Sequence, residues 1–187
     1  MSICFNALMP LNYRPANSQD WKGLIRRRIG PATGTIIKKW RDQWCERHWE
    51  LAKPNRFLDA RLTLLWGPGG FAITISPVAI EIFHCSKWGK FLYDEEHRRE
   101  LRASCFEFAR IFGSDRAAYL PEMTGAGFDK CLDFGKIETE LMASIGPPAS
   151  SVDMIKQLSE QFGSADHHPG CYFIDRFDDL HAQGERK

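Results

Sequence analysis

Two periodicities alternate along this chain. The opening SICFNALMPL is apolar enough for a first strand, which Pro10 stops. Asn17 or Ser18 can cap a first helix through Ile29, ended by Gly30-Pro31. A second helix is expected from about Thr35 to Leu51, before Pro54, with Ile37, Trp40, Trp44 and Trp49 near one stripe. The middle then switches to strand patterning. Arg61 to Trp66 (RLTLLW) and Phe71 to Ile75 (FAITI) flank Gly67-Pro68-Gly69-Gly70, which predicts a hairpin. Ser76-Pro77 interrupts the ladder. Val78 to Cys85 (VAIEIFHC) is apolar at odd and even positions alike, apart from Glu81 and His84. Such a strand belongs in the middle of a sheet or under cover on both faces.

The helical period returns after Asp94, a good N-cap, with Glu95 and Glu96 in the positive first turn. Leu101, Cys105, Phe108, Ala109 and Phe112 fall on one face, Arg110 sits near the negative end, and Gly113 supplies a left-handed stop. Arg116 to Leu120 (RAAYL) predicts a short strand ended by Pro121. Glu122 to Asp129 is a Gly-rich loop, and Gly135 to Ile145 a helix closed by Gly146-Pro147-Pro148. Ser150 or Ser151 caps a further helix through about Phe162, with Asp153 in its first turn. Gly163 to Gly170 is a loop, Cys171 to Ile174 (CYFI) a last strand, and the polar tail after Leu180 should fray. No unit of solenoid length repeats. The pattern predicts one α+β domain over 1–187, a central and mostly antiparallel sheet flanked by helices from both ends of the chain.

Charge divides this domain into three parts. Residues 1–56 hold eleven Lys/Arg against four Asp/Glu, residues 57–134 nine against eleven, and residues 135–187 five against nine. A basic helical N-terminal part (1–56), a near-neutral part with the sheet and main helix (57–122) and an acidic C-terminal part (123–187) therefore hide behind a net charge of +1. The hydrophobic share of 43% and the thirteen Phe and six Trp exclude global disorder and favour a full core. No stretch is long and apolar enough to span a membrane, and MSICFNALMPLNYRP lacks the plan of a signal peptide. A cytoplasmic location is expected. The six cysteines lie far apart with no C-x-x-C pair, which argues for reduced, buried thiols and against a zinc ribbon.

Candidate chemistry is sparse. Gly67-Pro68-Gly69-Gly70 lacks the Lys-Ser/Thr ending of a phosphate loop and leads into a strand. Asp166-His167-His168 could chelate a metal, but without ligand spacing a solvated loop is the better reading. Glu81 and His84 could form an acid/base pair, yet positions three apart in a strand point to opposite faces. No nucleophile elbow, metalloprotease helix or Cys-His constellation occurs, so no catalytic residue, metal or cofactor is assigned. Arg26-Arg27-Arg28 and the Trp-bearing second helix could bind nucleic acid, which the nearly neutral total disfavours. The linker Lys87-Trp88-Gly89-Lys90-Phe91-Leu92-Tyr93 is aromatic and basic, and either staples the helix to the sheet or presents a contact patch.

Over residues 62 to 122 the hairpin, VAIEIFHC, the KWGKFLY linker, the Asp94 helix and GSDRAAYLPE together resemble the small immunity proteins that bacteria encode beside secreted polymorphic toxins. No motif matches residue by residue, so no functional residue carries over. The resemblance implies a stoichiometric complex with a cognate toxin encoded nearby, often a nuclease, in place of turnover. On that reading Trp88, Phe91 and Tyr93 are the expected partner-binding anchors, and Asp175, Asp178 and Asp179 the electrostatic match to a basic cleft. Two alternatives remain: a small enzyme with a scattered site around Glu81, His84 and Asp115, and a nucleic-acid module using the basic N-terminal helices.

Overall fold

The computed structural model describes residues 4–12, 50–51, 63–67, 70–122, 131–132, 135–161 and 171–184. Its strands are β1 (Cys4–Pro10), β2 (Glu50–Leu51), β3 (Thr63–Trp66), β4 (Phe71–Ile75), β5 (Ala79–Lys87), β6 (Ala117–Pro121) and β7 (Phe173–Asp175). They form one sheet in the order β2-β3-β4-β5-β1-β6-β7, and every neighbouring pair is antiparallel. The helices are α1 (Trp88–Tyr93), α2 (Glu95–Phe112), α3 (Ile137–Ser144), α4 (Val152–Gln161) and α5 (Asp178–Gly184). This is an α+β fold, as the patterning predicts.

The continuous apolar runs take the middle of the sheet. β5 is the fourth of seven strands, and β1 beside it is buried on both faces from Phe5 to Met9. Phe5, Ala7 and Met9 meet the apolar stripe of α2, where Leu101, Cys105, Phe108 and Phe112 are fully buried. Leu8 turns to the second face, under Cys131, Leu132 and the α3 residues Ile137 and Leu141. The sheet is thus the middle layer, with α2 on one side and α3 on part of the other.

Local signals set the ends of α2. Asp94 accepts from the His97 backbone N–H at 2.9 Å, and Gly113 closes the helix at φ 71°. Asn12, just past β1, ties that end down: its backbone N–H donates to Phe112 O and its side-chain amide to Gly113 O, at 3.1 and 2.6 Å. Ser76 holds the turn between β4 and β5 by accepting from the N–H groups of Val78 and Ala79.

Three expectations need correction. Glu50–Leu51, assigned to the end of a second helix, is a strand paired with Trp66 and Leu65, because the outer edge of β3 offers backbone partners there. Residues 13–49, with the rest of the basic N-terminal helices, lie outside the described residues. The aromatic linker is a helix, α1: Trp88, Phe91 and Leu92 stand at i, i+3 and i+4 and are all buried. Arg98 donates to the Phe91 and Leu92 carbonyls at 3.2 and 2.7 Å and so satisfies the end of α1. Lastly, the tail does not fray at Leu180, since α5 continues to Gly184.

Candidate functional site

The acidic stretch of the C-terminal part folds onto α2. Leu101 and Cys105 point into the core, which leaves Arg102 at its rim with 25% of its side chain exposed. Its Nε and one terminal nitrogen donate to the two oxygens of Asp175, at 2.6 and 3.1 Å. The same guanidinium reaches Asp179, the nearest contact being 2.9 Å. Tyr119 Oη donates to Asp175 Oδ2 at 3.0 Å, and the Phe177 backbone N–H to Oδ1 at 2.9 Å. Asp175 is therefore a buried, four-bonded anchor. Hydrogen bonding to Asp175 pushes the Arg102 guanidinium up, and hydrogen bonding from Arg102 pulls the Asp179 carboxyl down. Phe177 adopts φ 59°, a costly conformation for a bulky residue, and is buried against Phe106.

The aromatic linker is divided by the fold. Trp88 and Phe91 are 1% and 0% exposed and stack at 5.1 Å between centroids, while Tyr93 is 51% exposed. Of the six residues expected to meet a partner, Trp88, Phe91 and Asp175 are spent inside the fold. Asp179 is bound to Arg102, and Tyr93 and Asp178 stand at the surface.

Glu81 and His84 do not converge. His84 is fully buried on the α2 side, bonded through Nδ1 to Ser86 and edge-on to Phe71, whereas Glu81 lies on the second face. Asp115 is exposed and paired with Arg116 at 2.7 Å. Asp166-His167-His168 lies outside the described residues, and among those described no three His, Cys, Asp or Glu are placed to hold a metal.

The second face carries a groove that the sequence reading missed. Leu8, Pro10, Ala118 and Ile174 line it from β1, β6 and β7, and Arg116, Lys136 and Glu138 rim a space of about 390 Å³. A second depression of about 520 Å³ continues it past Ile174 and Glu138 to Met142, Pro148 and Tyr172. Glu138 is held between Arg116 and Arg176, the latter at 3.8 Å. Met142 is 53% exposed although Leu141 beside it is buried. An apolar residue one place off the buried stripe of α3 was the available signal. The strand residues of the floor are too far apart in sequence to be read together.

No protein-family model matches the chain, and no curated protein does. Among solved structures, the Pseudomonas aeruginosa T6SS protein PA0821 is similar over 82% of this chain, at 11% identity and a TM-score of 0.38. This chain spans half the length of that protein.

Proposed function

We propose that this protein is an immunity protein, which neutralises a secreted bacterial toxin by forming a stoichiometric complex with it. The observation that supports this reading best is the groove of the second face. It joins an apolar floor and an exposed methionine to a charged rim, the make-up of a protein contact with a dry centre and a wet margin. Tyr93 and Asp178 supply further accessible contacts. A nuclease suits the acidic C-terminal part, because a cleft that holds phosphate is basic.

Co-expression with the product of the adjacent gene, followed by size-exclusion chromatography, tests the proposal. A co-eluting complex that relieves toxicity is expected. Met142→Glu should weaken it at the groove, and Asp178→Lys should slow its formation most at low salt. Neither position is buried, so both variants should stay folded. Neighbouring products that neither bind nor lose toxicity would end the immunity reading.

A further inference from the structure

The other half of the second face holds a group of acceptors. Glu81 on β5 is half-buried and stands in register with Thr74 on β4 and Leu8 on β1. The Thr74 side chain, opposite it on the same face, holds its carboxyl back from a larger rise in pKa. Asn6, one diagonal step away on β1, donates from Nδ2 to Glu81 Oε1 at 3.1 Å. Asn6 is 2% exposed, and its Oδ1 has no hydrogen-bond partner among the described residues. A buried amide oxygen left without a donor is uncommon and calls for a reason. Glu122, just after β6, adds a second negative charge.

The described titratable groups around Glu81 supply no compensating cation. Burial raises its pKa to about 7, and the Glu122 charge adds to the rise. Cys4, on β1 near Glu122, has its own thiol raised to about 11 and stays neutral, and burial likewise raises the Cys85 thiol on β5. Phe83 lies two residues along β5 on the same face as Glu81 and is half-buried. The surroundings thus combine a carboxylate, an amide oxygen and an aromatic ring.

We propose that Asn6, Thr74 and Glu81 form a receptor for a basic side chain, arginine or lysine, of a protein partner. Several N–H groups on one cation can serve both the Glu81 carboxylate and the Asn6 oxygen beneath it. Phe83 offers the aliphatic stem an apolar flank, which a free ammonium ion could not use. When Glu81 is protonated, the arriving cation takes the proton's place, so Glu81-COOH and the partner's cation give an ion pair and one released proton. The site adjoins the groove at Leu8, which stands opposite Glu81, but Asn6, Thr74 and Glu81 do not line the groove, and the assignment does not depend on the partner being a toxin.

Two probes of the same shape test it: acetyl-arginine amide and its uncharged counterpart acetyl-citrulline amide. The readouts on the full chain are the titration midpoint of the Glu81 carboxyl carbon and the Asn6 side-chain amide resonance. The arginine probe should lower the midpoint and shift the amide saturably, and the citrulline probe should do neither. Glu81→Gln should weaken the arginine probe about tenfold. Thr74→Val, a milder change on the same face, should weaken it less. Equal responses to both probes, or no saturable response to arginine, would overturn the site. Ethylammonium binding as tightly as the arginine probe would overturn its assignment to a side chain.

Discussion

Arg102 on α2 and Asp175 on β7 meet through two hydrogen bonds of 2.6 and 3.1 Å, across 73 residues of sequence. The pair fastens the C-terminal segment to the main helix. It also changes the meaning of the acidic run Asp175 to Asp179, two of whose three aspartates are already engaged by one guanidinium.

Arg102→Met should cost about 3 kcal/mol in urea unfolding, because Asp175 would stay buried without its cation. Asp179→Asn should cost under about 1 kcal/mol, since that end of the network is open to water. Equal costs would show that Asp175 relies on Tyr119 and the Phe177 N–H and not on Arg102.

Phe108→Ala and Trp88→Ala should each destabilise the protein by about 3–5 kcal/mol, as truncations of fully buried rings. Phe108 faces Phe71 across the α2–sheet interface at 6.1 Å, and Trp88 stacks on Phe91. A cost under about 1 kcal/mol for Trp88→Ala would return that residue to the surface role expected from the sequence.

Burial and Glu122 hold the Glu81 carboxyl at about 7 in the fold, against an ordinary 4.5. Between those values the unfolded chain gives up the proton and the native protein keeps it. Glu81's contribution to stability is therefore full below pH about 4.5 and falls as pH rises to about 7, by about 3 kcal/mol in all. Glu81→Gln cannot ionise, so its stability relative to the parent should climb across that window. A constant difference between the two proteins would show that Glu81 ionises as an ordinary surface carboxyl.

Five cysteines of the described residues, Cys4, Cys85, Cys105, Cys131 and Cys171, are free thiols. Burial raises the pKa of each, most strongly that of Cys105, which is fully enclosed. Alkylation of the native protein near pH 7 should leave Cys105 unmodified until the chain unfolds, as read by mass spectrometry. Rapid labelling of Cys105 in the folded protein would contradict the packing of α2.

Much of the fold was legible because local chemistry and tertiary packing agree. Asp94, the α2 stripe and Gly113 all delimit the same helix, and VAIEIFHC is buried where an unbroken apolar run has to be. Glu50–Leu51 was misread because its strand character comes from Trp66 and Leu65 and not from its own residues. The WGKFLY helix was hidden by Gly89 and by its length of six residues. The groove was illegible for a different reason: Leu8, Ala118 and Ile174 belong to three strands that only the sheet brings together.

The last of the described strands, β7, has a consequence for how a partner can approach its edge of the sheet. β7 is three residues long, and the Ala149 N–H already occupies the Tyr172 carbonyl beside it. A stub of that length gives an incoming chain little template for main-chain pairing, which also guards that edge against aggregation. Strand addition at β7 is thereby disfavoured, and association on that side falls to side chains on the faces of the sheet and on its helices.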